Sequence, residues 1–292
     1  LLYSQWNELD EFSSSNERLL TLADYETGKE FWSFDMAIWP FIHSVRDFLY
    51  NDGVPEILVG GYAPANGLQV NGLVDIGESY LMLFDLYGNL IWKVTFDGFF
   101  LTTYGLVTND NKIIGIASQS YFHDYSEFVL IDPGTGKILK RKRNPIGILR
   151  HPILADFTGD ASEELVVSTV NGDVIMLDSN FNTIKTKKIY PDRTEDLFYP
   201  IYPKVANDIN GDGKVELILT KYKRVVLPRD YKHDKSKNLD FEILILNNSL
   251  EIIKTIPVDE EKSLSLIVYD FDNDGFNEII TVGNQLNIWK VQ

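Results

Sequence analysis

An internal period of about fifty residues, short apolar runs bounded by turn residues, and the lack of any stretch with helical periodicity together predict an all-β fold built from a repeated unit. A unit of that length holding four short strands is the signature of a β-propeller blade. The 292-residue sequence divides into about six such units, at 1–36, 37–98, 99–143, 144–190, 191–257 and 258–292. The whole of 1–292 reads as one propeller domain of about six four-stranded blades, the terminal blades incomplete. A β-sandwich gives no reason for the period, and a β-helix repeats over far shorter lengths.

In chain order, LLTLADYETGKEFWSF, with Asp24 at its turn, reads as two strands joined tightly, with no acidic turn before it. DFLYNDGVPEILVGG from Asp47 is an acidic turn running into a β-branched strand, and the hairpin LMLFDLYGNLIWKV around Asp85 follows it. GLVTNDNKIIGIAS from Gly105 keeps the strand but has lost the acidic ladder; its hairpin is FVLIDPGTGKILKRK, with Asp132. DFTGDASEELVVS from Asp156 pairs with VIMLDSNFNTIKTK around Asp178, and DINGDGKVELILT from Asp208 with ILILNNSLEIIKT around Asn247. DFDNDGFNEIITV from Asp270 is followed by QLNIWKVQ, the first strand of one more hairpin. The glutamates at one place in this frame, Glu56, Glu164, Glu216 and Glu278, lie 108, 52 and 62 residues apart, the first gap spanning two units. Both ends fall inside a repeat, which predicts flanking domains.

Composition narrows the function. With 27 basic and 43 acidic residues the net charge is −16, which repels phosphate backbones and argues against nucleic-acid binding. There is no cysteine, so disulfides, thiolate metal sites and a cysteine nucleophile are excluded. No apolar run approaches the length of a membrane span.

The acidic turns carry the clearest chemistry. Carboxylate or amide oxygens at alternate positions, followed by glycine, let a tight loop wrap a hard cation, and the glycine permits the backbone to reverse. In the loop from Asp208 the expected Ca2+ ligands are Asp208, Asn210, Asp212 and Glu216 with the carbonyl of Lys214. In the loop from Asp270 they are Asp270, Asp272, Asp274 and Glu278 with the carbonyl of Phe276, the fullest acidic set of all. The loop from Asp156, with Thr158, Asp160 and Glu164, has Ala161 in place of the turn glycine and makes a third, weaker candidate. The loop ending at Glu56 has Tyr50 where an oxygen belongs, and no metal is expected there. An EF-hand needs a glutamate at the twelfth position and a helix after it, whereas the twelfth residue from Asp208 is Leu219. The competing reading is that Asp, Asn and Gly serve only turn geometry.

These loops resemble those of the FG-GAP or VCBS repeats, the calcium-loop propellers that include the integrin α-subunit head. LVGGYAP, Leu58 to Pro64, echoes half of the FG-GAP signature. The resemblance implies calcium loops between the first and second strands of a blade, and an extracellular, cell-surface or periplasmic protein.

Two connections exceed what a turn requires, YAPANGLQVNGLVDIGE from Tyr62 and KYKRVVLPRDYKHDKSKNLD from Lys221, and both are expected opposite the calcium loops. The second gathers Lys221, Lys223, Arg224, Arg229, Lys232, Lys235 and Lys237, a basic cluster suited to an anionic partner. Trp39, Pro40, Phe41, Phe99, Tyr104, Tyr199, Tyr202 and Pro203 are expected on the same face, where aromatics either anchor a partner or fill gaps between blades. His43 and His151 hold matching places before Asp52 and Asp160 and should begin equivalent strands. No nucleophile elbow, zincin helix or P-loop is present. The expectation is a noncatalytic propeller binding a protein or glycan. A polysaccharide lyase or glycoside hydrolase working in a central funnel is the first alternative, and a sensory receptor ectodomain the second.

Overall fold

The computed structural model describes residues 1–6, 18–63, 67–96, 102–118, 125–145, 147, 151–169, 171–191, 197–198, 200–226, 236–258, 265–282 and 286–290. Every regular element among them is a β-strand, as the sequence predicts. The chain divides into two compact units, Leu1–Ile146 and Gly147–Gln292.

In the first unit β1 (Leu2–Trp6), β2 (Arg18–Ala23) and β3 (Glu30–Asp35) form a three-stranded antiparallel sheet. β4 (Trp39–Arg46) and β5 (Glu56–Tyr62) come next. A small hairpin of β6 (Gln69–Val70) and β7 (Leu73–Val74) interrupts the chain before β8 (Tyr80–Phe84) and β9 (Leu90–Thr95) complete a four-stranded meander. β10 (Thr102–Val107), β11 (Ile113–Ser118), β12 (Ser126–Ile131) and β13 (Ile138–Asn144) make a second meander, joined to β5 through the single pair Thr102 and Tyr62.

In the second unit β14 (Ile153–Ala155), β15 (Glu164–Ser168), β16 (Asp173–Leu177) and β17 (Thr183–Lys188) form a meander. After the short β18 (Leu197–Phe198) another meander follows, of β19 (Ile201–Asn207), β20 (Glu216–Val226), β21 (Ser236–Leu246) and β22 (Ile252–Pro257). β23 (Ser265–Tyr269), β24 (Glu278–Val282) and β25 (Leu286–Lys290) form a last, three-stranded sheet.

Burial explains the sequence patterns. The second strands, EILVGGY, IIGIAS and ELVVS, are buried at nearly every residue, so they read as continuous apolar runs; in EILVGGY, Leu58 joins one cluster of packed sheets and Ile57 and Val59 another. The outer strands LIWKVT, ILKRKRN and TIKTKK alternate, one side turned to the core and the other to solvent. Within each unit consecutive sheets pack face to face. Leu20 and Phe34 of the first sheet meet Ile57, Val59 and Met82, and Leu58 and Leu81 of the next meet Ile113 and Val129. In the second unit Val166 and Met176 meet Leu217 and Leu244, while Ile218, Ile243 and Ile245, on the other face of that same meander, meet Ile279 and Trp289.

In three of the four acidic loops the second residue seals these interfaces: Phe48, Phe157 and Ile209 are all buried within them. Its counterpart Phe271 is 59% exposed, and it shares one side of the last sheet with exposed Ile267, Val282, Leu286 and Ile288.

Three sequence expectations change in detail. The connection from Lys221 is largely a ribbon, because β20 and β21 continue their pairing out to Val226 and Ser236. Its Lys221 pairs with Glu242 and lies 4.2 Å from the Tyr190 ring, so this cation is already engaged; Arg229, Lys232 and Lys235 fall outside the described residues. The connection from Tyr62 is pinned by Arg18, whose guanidinium lies 3.0 Å from Asp75 with both side chains fully buried, and by Asn71, which donates to the Asp35 carbonyl. His43 and His151 are not equivalent: His43 sits at a register shift inside β4, its Nε2 3.2 Å from the Thr103 carbonyl, whereas His151 is exposed ahead of β14 with φ 65°. Of the expected aromatic and proline positions, Pro40 and Pro203 are buried, and Trp39, Phe41, Tyr104 and Tyr202 half-buried; Phe99 and Tyr199 fall outside the described residues.

Candidate metal site in the acidic loops

All four acidic loops share one scaffold. The leading aspartate turns its carboxylate back onto the amides of the turn: Asp47 accepts from Asn51 and Gly53, Asp156 from Gly159 and Ala161, Asp208 from Gly211 and Gly213, and Asp270 from Asp274 and Gly275. The later aspartate caps the exit, Asp52 taking the Val54 amide, Asp160 that of Ser162, Asp212 that of Lys214 and Asp274 that of Phe276. Each loop makes two left-handed steps, at Asn51 and Gly53, Gly159 and Ala161, Gly211 and Gly213, and Asn273 and Gly275. This is why Asn and Gly recur there. Ala161 holds φ 69° in a place that is glycine in the other three loops.

The recurrent glutamate has a duty that sequence reasoning missed. Glu56, Glu164, Glu216 and Glu278 are 2–4% exposed, and each directs Oε2 at the amide of the loop's second residue: Phe48, Phe157, Ile209 and Phe271, at 2.7–3.1 Å. A buried carboxylate held this way closes the loop by itself, with or without a metal. The signal was available, since Glu56 persists in the loop where Tyr50 replaces a ligand.

The second carboxylate oxygen is where the loops differ. In the Asp156 loop, Glu164 Oε1 lies 3.3 Å from the Thr158 hydroxyl, and in the Asp208 loop Glu216 Oε1 lies 3.3 Å from Asn210 Nδ2. Burial raises the Glu216 carboxyl above the usual range; the Ile209 amide opposes this, and the charges of Asp212 and Asp208 add to the rise. In the Asp270 loop, oxygens of Asp270, Asp272 and Glu278 converge to within 4.8 Å of one another, the single such trio among the described residues. Lys214 and Phe276 occupy the turn exits where their carbonyls were expected as ligands.

A cation stands at the Asp270 loop already. Lys290 Nζ lies 2.5 Å from Asp272, 2.8 Å from Asp274 and 3.7 Å from Glu278 Oε1. Its hydrogen bonds to Asp272 and then Asp274 raise the ammonium pKa, and the same contact, with the Phe276 amide, lowers that of Asp274. The donors are hard carboxylate oxygens, the set a Ca2+ ion takes, and the ammonium marks the loop as a place that accepts positive charge.

No family model matches the chain, and no curated protein of related sequence was found. Solved structures do match. The Dos1 propeller aligns with TM-score 0.53 at 11% identity over 92% of this chain and 58% of its own. The WD40 domain of Neurospora crassa Pan2 aligns with TM-score 0.51 at 13% identity over 99% and 74%. Rhamnogalacturonan lyase YesW aligns with TM-score 0.53 at 13% identity over 91% and 49%. The chain thus spans about half the length of the Dos1 and YesW structures. Likeness at such identity is likeness of fold, and with the stacked four-stranded meanders it defines the chain as a β-propeller.

Proposed function

We propose that this chain is a noncatalytic, calcium-stabilised β-propeller of the FG-GAP or VCBS kind, part of a larger exported or surface protein, that binds a protein or glycan through the face opposite its acidic loops. The observation that carries the calcium reading is the convergence of Asp270, Asp272 and Glu278. The Asp208 loop supports it as well, its buried Glu216 crowded by the charges of Asp208 and Asp212. Loops of this kind hold calcium at the millimolar levels found outside the cytosol, where extracellular modules bind at roughly 10⁻⁴ to 10⁻³ M. In this reading the metal serves structure, and the binding face draws on the connection that follows Tyr62, fixed in place by Arg18 and Asp75.

The test is a thermal melt of chelator-treated protein with and without millimolar calcium, magnesium serving as control. Calcium at ten times its dissociation constant adds about 1.4 kcal/mol per site. A calcium-specific rise, diminished by Asp212→Ala and by Asp272→Ala, is expected; equal melts in calcium and in chelator would refute the reading. The fold likeness to a rhamnogalacturonan lyase keeps one enzymatic alternative in view, and turnover on a panel of acidic polysaccharides would establish it.

A further inference from the structure

Lys290 departs from a rule the other repeats keep. Read one step past the paired register, Glu56 faces Asp85, Glu164 faces Asp178 and Glu216 faces Asn247, each the head of a hairpin turn. Asp85 accepts the amides of Tyr87 and Asn89, Asp178 those of Asn180 and Asn182, and Asn247 those of Ser249 and Glu251. In the last sheet the same place, directly paired with Glu278, belongs to Lys290. Its ammonium reaches three of the carboxylates expected to hold calcium.

We propose that Lys290 sets the cation affinity of the Asp270 loop: its ammonium is a tethered competitor that an incoming divalent cation must displace. This inference rests on the calcium reading above. A monovalent ammonium offsets only part of the charge of Asp270, Asp272, Asp274 and Glu278, so the loop keeps an attraction for a divalent ion. The lysine and the two aspartates are partly exposed, so the ion pairs are screened by solvent and yield to a stronger cation. The loop with the fullest acidic set is in this way tuned toward weaker binding, and it keeps a counter-charge when calcium is scarce.

The experiment is calorimetric titration of calcium chloride into chelator-treated wild type and Lys290→Gln, each also carrying Asp212→Ala to silence the Asp208 loop. Lys290→Gln is expected to bind calcium at least about twofold more tightly, the lower end of what two exposed ion pairs contribute. Lys290→Met, which retains the aliphatic stem, replaces the glutamine variant if circular dichroism shows that the latter is unfolded. Equal affinity with and without Lys290 overturns the proposal while leaving the calcium reading intact. Absence of calcium heat from every protein, including the parent with Asp212 in place, overturns both.

Discussion

Replacing Asp75 by alanine isolates one partner of an ion pair from which solvent is excluded. Arg18 and Asp75 lie 3.0 Å apart with side chains 0% exposed; Arg18 Nη1 also donates to the Ala37 carbonyl, while its Nε and Nη2 have no acceptor among the described residues. Without Asp75 the guanidinium remains buried with no counter-charge, a change that costs about 3–5 kcal/mol. Asp75 also anchors the connection after β7, since its backbone pairs with Gly67 and Leu68, so the loss falls on the joint between that segment and β2. At roughly 2–4 °C per kcal/mol the melting temperature should fall by about 6–20 °C. Calorimetric melts of Asp75→Ala, Asp75→Leu, Arg18→Met and the double variant Arg18→Met/Asp75→Leu form the assay, the last three closing the cycle. The double variant should melt near wild type, because two apolar side chains leave no charge to desolvate. Single variants within about 1 kcal/mol of wild type, or a double variant as unstable as the sum of the singles, would refute the reasoning.

Other outcomes follow from single residues. His43 is held by burial near a pKa of about 4, opposed by its bond to the Thr103 carbonyl, so the folded protein stays neutral there where an unfolded chain takes a proton. Its contribution is therefore full above pH 6.5 and drains away as pH falls toward 4, by up to about 3 kcal/mol. His43 as a residue is only half-buried, which makes that figure a ceiling. Urea midpoints of wild type and His43→Gln between pH 7 and 4 should converge on acidification; parallel curves would exclude the role. Ala161→Gly relieves a left-handed alanine and should raise stability by about 1 kcal/mol, read from the same midpoints, whereas a loss would show that the turn is not strained.

Much of this architecture was legible in the sequence because it repeats. The Asp, Gly and Glu positions of the loops from Asp156, Asp208 and Asp270 fixed where each second strand starts, and burial on both faces made Glu56–Tyr62 and Glu164–Ser168 read as strands. The Lys221 connection misled because lysines and a proline suggest a loop, while backbone pairing from Lys223 to Val226 extends the ribbon regardless of side-chain polarity. His43 and His151 share a sequence offset, but a shift in register at His43 alters one strand and not the other, a feature no spacing reveals. The second role of the glutamates was hidden because a carboxylate that caps amides and one that binds a metal call for the same residue. Lys290 was visible in QLNIWKVQ, at the place other repeats give to Asp or Asn, but its meaning depends on the pairing with Glu278.

The exposed side of the last sheet bears on how such a chain comes apart. Ile267, Ile280 and Ile288 hold the positions that Val205, Ile218 and Ile245 hold one repeat earlier, where they are covered. A repeated module is secured by its own folding and by contact with its neighbours. Among the described residues of this unit, the meander of β19 to β22 is clasped on two sides and the sheet of β23 to β25 on one. The last sheet thus keeps an apolar side open among those residues, and any ligand that covers it adds its binding energy to the hold on β23 to β25.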